Sequence, residues 1–337
     1  MSEKTEKKRL AILRVLQESP RPIGSSKIIE HLRAMGQEMS ERTVRYYMLE
    51  LDNEGLTENL GKRGRQITEL GIKELDSARV IEKVGFLASK IDQMTYRMNF
   101  DLSKRQGTVM INVSLLNMKQ LRISAPLIAK VYKAGYSMGT LMALFKPGEK
   151  IGEMAIPENM VGIGTVCSIT LNGVLLAHGI PTNSRFGGLL ELQNRKPTRF
   201  VEIITYEGTS VDPLEVFIRS GMTDYVGATS TGNGRIGVGF RELPADSRDK
   251  VVDLMHRLKE VGLGGFLRIG WPGQPLLEIP VSEGRIGAIV IGGLNPAAIL
   301  EETDIRIKSK ALAGLTEYER LFPYHELDER IQALDIR

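Results

Sequence analysis

The side chains best suited to chemistry lie in the stretch MSERTVRYYMLELDNEGL, residues 39–56. Val44, Met48 and Leu51 recur at spacings of four and three, which predicts a helix over residues 40–53 with one apolar stripe. Polar, aromatic and cationic side chains lie mostly off that stripe: Ser40, Arg42, Thr43, Arg45 and Tyr46. Arginine can bond guanine with two N–H groups and threonine can contact a thymine methyl group, so this face could read DNA. A charged outer face is also normal for any amphipathic helix, and that alternative stays open.

Two short helical segments and a basic hairpin flank this stretch. EKKRLAILRVLQES and GSSKIIEHLRAMG predict the helices, and LTENLGKRGRQITEL predicts two brief strands around a turn that carries Lys62, Arg63 and Arg65. Three helices followed by a basic hairpin is the order of a winged helix, whose third helix enters the major groove while the wing meets the adjacent backbone. Residues 1–76 are therefore predicted to form a winged-helix DNA-binding domain, with a winged helix used for protein contacts as the alternative.

Composition sets the outer limits on function. The chain has 337 residues, of which 42% are hydrophobic, which suits two or three globular domains. No apolar run reaches the roughly 18 residues of a membrane span, and the N-terminus is charged rather than signal-like, so we expect a cytoplasmic protein without a membrane partner. One cysteine and four scattered histidines predict neither an intrachain disulfide nor a metal site. The net charge of +4 is mild, so the clustering of Arg and Lys over residues 42–65 is the stronger signal for DNA.

A helical linker is predicted between the winged helix and the rest of the chain, over residues 77–104. Its apolar residues alternate at spacings of four and three: Val80, Val84, Leu87, Ile91, Met94 and Met98. Such a heptad seam could pair two subunits. The same stripe would equally serve to pack the helix on the larger domain, and both alternatives stay open.

The remaining chain contains an internal repeat. VGIG at 161–164 returns as VGLG at 261–264, and RFGGLL at 185–190 returns as RIGAIV at 285–290, an offset of 100 residues. Two related copies predict similar halves, residues 105–220 and 221–337, packed about a pseudo-two-fold axis with a cleft between them. The asparagine and glycine of TVCSITLNGVLLAHGI predict a β-hairpin. The fold class expected for the whole chain is α+β, an N-terminal winged helix-turn-helix followed by an α/β domain with internal duplication.

Three loops of the second domain combine glycine and hydroxyl residues with an arginine: GIPTNSRFGG, ATSTGNGRIGVG and SEGRIGAIVIGG. Exposed backbone N–H groups, hydroxyls and a guanidinium suit a small carboxylate-bearing ligand. The candidate ligand-binding residues are Thr182, Asn183, Ser184, Arg185, Ser230, Thr231, Asn233, Arg235 and Arg285. The glycines could instead serve only as turns, and duplication alone could explain why Arg185 and Arg285 both occur.

Catalysis finds little support in the sequence. His178 lies in a strand-like run that suggests a core histidine, and Cys167 has the apolar neighbours of a buried thiol. No nucleophile, base and orienting acid occur together at recognisable spacing, and no Walker A motif is present. We therefore predict no catalytic residues.

The segments VGIGTVCSITLNGVLLAHGIPTNSRFGGLLEL, GNGRIGVGFRELPA and IGAIVIGGLNP, following a winged helix, resemble the archaeal nitrogen-regulation repressor family, NrpR. The resemblance spans nearly the whole chain. It implies a homodimeric transcriptional repressor, not an enzyme, that binds palindromic operators in double-stranded DNA at nitrogen-assimilation genes. It also implies 2-oxoglutarate as an allosteric effector that lowers the DNA affinity, with no further cofactor.

Some members of that family carry two regulatory domains after the winged helix, whereas this chain has room for one. A single-domain form could work with a second regulatory subunit or a basal transcription factor as its partner. The alternative from a different class is an enzyme of small-acid metabolism that carries a winged helix used for assembly.

Overall fold

The protein is described by a computed structural model that covers residues 3–34, 36–82 and 86–335. The chain divides into two compact units, Met1–Val84 and Gly85–Arg337. The elements of the first unit are α1 (Glu3–Glu18), α2 (Ser25–Ala34), α3 (Glu41–Asn53), β1 (Thr57–Asn59), β2 (Arg65–Ile67) and α4 (Glu69–Glu82). This is the predicted winged-helix order, with α4 added after the wing.

The core of the first unit follows the sequence periodicity. Val44, Met48 and Leu51 of α3 are buried in one cluster with Ile28 and Leu32 of α2. Burying each of these side chains contributes about 1.5 to 3 kcal/mol, so the apolar stripe fixes which face of α3 points away from the core. The wing gains a third extended segment, because residues 23 and 65 exchange backbone hydrogen bonds of 3.0 and 2.9 Å.

The second unit is built from antiparallel sheets and helices. Its elements, in chain order, are α5 (Phe86–Arg97), β3 (Thr108–Leu116), α6 (Met118–Lys133), β4 (Leu141–Phe145), β5 (Lys150–Ile151), β6 (Met154–Ala155), β7 (Val161–Val166), α7 (Ile169–Ala177), β8 (Asn183–Gln193), β9 (Lys196–Thr205), α8 (Pro213–Arg219), α9 (Tyr225–Ser230), β10 (Gly234–Pro244), α10 (Arg248–Glu260), β11 (Phe266–Ile269), β12 (Arg285–Ile291), α11 (Asn295–Glu302), β13 (Lys308–Glu317), β14 (Phe322–Pro323) and α12 (Leu327–Asp335).

Within residues 86–335 the strands form two five-stranded sheets, with strand orders β13-β3-β7-β4-β14 and β11-β12-β10-β8-β9, and a small sheet of β5 and β6. Neighbouring strands in both sheets are antiparallel. Antiparallel sheets flanked by helices define the α+β class, so the predicted fold class is confirmed.

The two sheets show the internal duplication. The order β13-β3-β7-β4 has its counterpart in β8-β10-β12-β11. Each half contributes two strands to the sheet of the other: β8 and β9 join the sheet of β10, and β13 and β14 join the sheet of β3. Equivalent strands begin about 125 residues apart, since β4 starts at Leu141 and β11 at Phe266, and β8 starts at Asn183 and β13 at Lys308. This strand exchange makes each half part of the other's core.

The predicted offset of 100 residues is wrong. Residues 161–164 lie in strand β7, whereas residues 261–264 form the turn that follows α10, with Gly262 at φ 74°. Alternating aliphatic residues and glycine fit both structures, because glycine adopts extended and left-handed backbone equally well. Residues 185–190 and 285–290 are both strands, but both pair with β10 in the same sheet.

The hairpin predicted at Asn172 and Gly173 is also wrong, because these residues lie inside the buried helix α7. A short apolar run does not distinguish a buried strand from a buried helix, and the asparagine–glycine pair was misleading here. Gly173 serves close packing instead, since a Cβ atom at that position would lie 2.2 Å from Cε of Met98.

Within the described residues, the predicted linker includes the end of α4, which ends at Glu82, and α5, which begins at Phe86. Leu87 and Ile91 of α5 are buried in a cluster of the second unit, which favours packing on the larger domain for these two residues. Val84 and the side chain of Val80 lie outside the described residues. No helix in the described ranges has the length and apolar character needed to cross a bilayer.

Candidate DNA-binding surface and regulatory loops

Helix α3 begins with the predicted cap. The Ser40 hydroxyl accepts the backbone N–H of Thr43 at 3.1 Å and lies 2.8 Å from the Thr43 hydroxyl. A serine cap of this kind typically stabilises a helix by about 1 kcal/mol. Ser40 and Thr43 therefore fix the start of α3, and with it the direction in which the next side chains project.

The exposed face of α3 carries two arginines, Arg42 and Arg45, in different surroundings. Arg45 donates to Glu41 at 2.6 Å, and the Tyr46 hydroxyl donates to Glu50 at 2.6 Å, which raises the pKa of that phenol. Arg42 is exposed and has no hydrogen bond or ion pair with any described residue. Exposed ion pairs are worth about 0 to 1 kcal/mol, so Arg45 could leave Glu41 for a phosphate or base at little cost.

The wing places its three cations in two different environments. Lys62 and Arg63 lie at the exposed tip, in a single helical turn between the strands, and have no side-chain partner within the described part of the chain. Arg65 lies instead in β2, where its Nε atom donates to Asp52 of α3 at 2.7 Å and its side chain is only 19% exposed. The sequence placed Arg65 at the tip. The structure uses it to fasten the wing to α3.

The first predicted loop of the second unit is held by internal contacts. Arg185 donates from Nη1 to Glu242 at 2.8 Å and to the carbonyl oxygen of Pro280 at 2.7 Å. The Glu242 side chain is 3% exposed and also accepts the backbone N–H and the hydroxyl of Ser282, from the third loop. The first and third loops therefore meet at a buried carboxylate, and the charge of Arg185 is already neutralised.

The second predicted loop lies elsewhere. Ser230 and Thr231 donate to carbonyl oxygens of their own helical turn at 2.6 and 2.9 Å, and the Asn233 side chain accepts the N–H of Asn194. Arg235 pairs across the sheet with Glu191, seven residues along β10 from Glu242. That distance is about 23 Å in an extended strand, so the three loops do not form one site.

The other predicted residues are scattered around the first and third loops. Asn183 is exposed, and Ser184 accepts a hydrogen bond from Asn172 at 3.0 Å. Thr182 has a buried hydroxyl without a partner in the described chain. Arg285 is half-buried, and the described residues give its side chain no partner.

Sequence reasoning missed Arg241, the largest fully buried side chain. Its Nε atom donates to Asn172 at 2.6 Å and Nη2 donates to the carbonyl and hydroxyl oxygens of Ser168, at 3.2 and 3.1 Å, while Nη1 has no partner among the described residues. Arg241 therefore joins β10 of one half to α7 of the other. Arg241 alternates with Gly237 and Gly239 rather than with the apolar Ile236 and Val238, so the sequence pattern gave no signal of its burial.

Neither residue considered for catalysis is placed to react. Cys167 is buried, and burial raises the pKa of its thiol to about 12. A thiol in that state is a poor nucleophile at neutral pH. His178 ends helix α7, where its Nδ1 atom lies 2.8 Å from the carbonyl oxygen of Val174.

Comparison with known proteins accounts for both units. The family model for NrpR regulatory domains NRD1 and 2 matches residues 84–323, and that for the Ribonuclease R winged-helix domain matches residues 10–75. The chain is 34% identical to the global nitrogen regulator NrpRI of Methanosarcina mazei over 95% of its own length and 99% of that protein. The chain belongs to the NrpR family.

Other NrpR relatives are longer. The global nitrogen regulators NrpR of Methanococcus maripaludis and Methanocaldococcus jannaschii are 31% and 30% identical over 87% and 94% of this chain, which spans 51% and 55% of their lengths. A solved structure of a nitrogen repressor-like protein from Methanococcus jannaschii, 27% identical, matches with a TM-score of 0.60 over 70% of this chain and 97% of that one.

The winged-helix match and the NrpR relatives each bear on one prediction. The winged-helix match covers most of α1 through to α4, which confirms the N-terminal domain type. The three relatives are named as regulators, which favours a regulatory protein over the enzyme alternative.

Proposed function

We propose that this chain is a transcriptional repressor of nitrogen-assimilation genes that reads its operator with α3 and holds the adjacent backbone with the wing. The observation that carries the proposal is that Arg42 of α3 and Lys62 and Arg63 of the wing are exposed and have no partner in the described part of the chain. Unpaired cations on a groove-binding helix and its wing suit base edges and phosphates. Membership of the NrpR family, whose named relatives regulate nitrogen metabolism, supplies the class of target genes.

We propose further that the working form is a homodimer on a palindromic operator. One winged helix reaches one half-site, so a two-fold symmetric site requires two chains with their α3 helices about 34 Å apart, one turn of DNA. Any ligand that changes that separation changes the affinity of both contacts together.

The proposed effector is a small dicarboxylate, 2-oxoglutarate, which releases the repressor from DNA. The match to regulatory domains over residues 84–323 supports control by a ligand in the second unit. Coupling between effector and operator is typically about 1 to 3 kcal/mol, or roughly 5- to 150-fold in affinity. Because Arg185 is already bound to Glu242, the effector's carboxylates need other cations.

The test is fluorescence anisotropy of the full chain on a two-fold symmetric DNA site from upstream of a glutamine synthetase gene. A scrambled duplex of equal composition controls for sequence, and glutarate, which lacks the 2-oxo group, controls for the effector. We expect tight binding to the symmetric site alone, weakened by 2-oxoglutarate and not by glutarate.

Two results would count against the proposal in separable ways. Equal affinity for the scrambled duplex, or no binding at low salt, would remove the operator-reading role of α3. Tight, specific binding that is indifferent to 2-oxoglutarate would keep the repressor and exclude this effector. Turnover of a 2-oxo acid by the purified protein would restore the enzyme alternative.

A further inference from the structure

We propose that a cavity between α5 and β13 binds a small carboxylate-bearing ligand, with the ammonium groups of Lys90 and Lys310 on either side of the carboxylate. The identification of that ligand as the effector rests on the proposed function, whereas the anion site itself stands on the geometry below. Neither lysine belongs to the loops that the sequence singled out.

The cavity has the size of a small-molecule site, at about 570 Å³. Lys90 and Arg97 of α5 line one side, Lys310 of β13 lines the other, and Glu153 stands at the turn between β5 and β6. The remaining lining is largely apolar, from Phe86, Met94, Leu312 and Leu315. Three cations against one carboxylate, with apolar walls between, suit a short acid that has a methylene chain.

Lys90 and Lys310 form an unfavourable pair in the absence of an anion. Partial burial lowers the pKa of Lys90, and the charge of Lys310 lowers it further, although Glu153, Glu215 and Cys167 act in the opposite direction. Neither lysine has a hydrogen bond or an ion pair within the described residues. Two like charges at one cleft are stabilised by a ligand of opposite charge bound between them.

The strand that presents Lys310 is deformed and held in that shape from behind. The pairing of β13 with β3 shifts register between Lys310 and Gly314, and Leu312 has a positive φ of 49°. The buried side chain of Asn112 accepts the N–H of Leu312 at 3.1 Å, and Glu215 accepts the N–H of Ala311 at 2.6 Å. Bulges and strained residues of this kind concentrate at binding sites. They persist only where surrounding contacts hold them in place.

The internal duplication shows what Lys310 lacks. Lys310 is the third residue of β13, and Arg185 is the third residue of the equivalent strand β8. The strand registers agree as well. Ser309, the residue before Lys310, pairs with Ser114 of β3, and Ser184, the residue before Arg185, pairs with Arg241 of β10. Arg185 is neutralised by Glu242, whereas Lys310 has no such carboxylate in the described chain. A ligand carboxylate would supply at this position the charge that Glu242 supplies at the other.

The position of the cavity suits regulation. Helix α5 starts at Phe86, directly after the segment that joins the two units, and Phe86 itself lines the cavity. A ligand that bridges Lys90 and Lys310 ties α5 to β13. Ligand binding at this cavity therefore acts on α5, the helix that follows the joining segment in the chain. Through that helix the second unit can influence the DNA-binding unit.

The test is calorimetric titration of the full chain with 2-oxoglutarate, glutarate and inorganic phosphate. Lys90→Met and Lys310→Met remove the charge and keep most of the aliphatic stem, and Lys308→Met is the matched control, because Lys308 is exposed on the same strand and does not line the cavity. We expect 2-oxoglutarate affinity to fall about tenfold in each of the first two variants and to stay unchanged in the control. Unfolding curves identify any variant that fails to fold.

A labelling experiment on the unsubstituted chain gives an independent readout. Amine-reactive labelling followed by mass spectrometry should show Lys90 and Lys310 protected by 2-oxoglutarate and Lys308 not protected. Binding that leaves both lysines reactive, or that survives both substitutions, would overturn this site and leave the proposed repressor intact. Phosphate that competes as well as 2-oxoglutarate would overturn the carboxylate preference. Absence of any acid binding, with operator binding intact, would overturn the site together with the effector.

Discussion

Two arginines of the first unit and two of the second unit have opposite surroundings. On α3 and the wing tip, Arg42 and Arg63 are exposed and have no partner among the described residues. In the second unit, Arg185 is bound to a buried carboxylate and Arg241 is wholly enclosed. The first pair can bind something outside the chain, and the second pair holds the chain together.

The difference teaches that a local motif does not decide the role of an arginine. Arg185 follows threonine, asparagine and serine and precedes a glycine pair, which is the context of many anion sites. Its partner, Glu242, lies 57 residues away on another strand. Only the pairing of β8 with β10 brings the two together, and that pairing is not visible in either loop alone.

The largest change in stability is expected for Arg185→Ala. The substitution leaves Glu242 buried without its cation, which should destabilise the second unit by about 3 kcal/mol. Chemical unfolding measures the change. Arg285→Ala, which removes a half-buried arginine without a described partner, is the matched control and should change stability by less than about 0.5 kcal/mol. Equal effects in the two variants would contradict the structural role of Arg185.

Arg42→Ala should weaken DNA binding without lowering the stability of the protein. The side chain has no hydrogen bond or ion pair with the described residues, so unfolding should be unchanged. Operator affinity should fall by about 1 to 3 kcal/mol if Arg42 bonds a base. Gel shifts on the symmetric site measure the affinity. Arg65→Ala serves as a contrast, because loss of its bond to Asp52 should lower the stability of the first unit as well. Unchanged affinity in Arg42→Ala would return α3 to an ordinary exposed helix.

Asp212 of the second unit is an acid whose surroundings make the stability of the protein depend on pH. Burial raises the pKa of this carboxyl from 3.8 to about 6, while its Oδ1 atom caps α8 through the N–H of Leu214. The folded state therefore binds the proton more tightly than the unfolded state. Stability should fall as pH rises from about 4 to about 6 and stay lower above that.

The size of this pH effect is about 2 kcal/mol after a discount for the part of the side chain that water reaches. Asp212→Asn keeps a capping oxygen and removes the titration, so unfolding of the variant should lose that pH dependence. The same pH profile in both proteins would show that another group titrates.

Lys62→Ala and Arg63→Ala should have the smallest effects. Both side chains are placed for phosphates, so each substitution should weaken binding to every duplex alike and reduce the slope of log affinity against log salt by about 1. Anisotropy at a series of salt concentrations measures the slope. A loss confined to one operator sequence would mean that the wing tip reads bases.

The sequence was most informative where local periodicity and the tertiary structure agree. In α3, the stripe of Val44 and Met48, the Ser40 cap and the following hairpin could all be read directly, and the structure has each of them. Asn172 and Gly173 show the opposite case, because a hairpin signal inside an apolar run was overridden by burial in α7.

The candidate site was less predictable than the fold. Duplication was visible, but the true correspondence is about 125 residues, and no local pattern reveals that β8 and β13 are exchanged between the halves. Lys90 and Lys310 are 220 residues apart in the chain and belong to no motif. Their proximity follows only from the packing of α5 beside β13.

Base-pair discrimination gives the sharpest test of α3 as the reader of the operator. The affinities of the full chain and of Arg42→Ala would be measured for the symmetric site and for versions with each guanine replaced symmetrically in both half-sites. The unsubstituted chain should lose about 1 to 3 kcal/mol at one guanine position, and Arg42→Ala should bind that altered site and the original equally well. The same discrimination in both proteins would show that Arg42 does not read the operator.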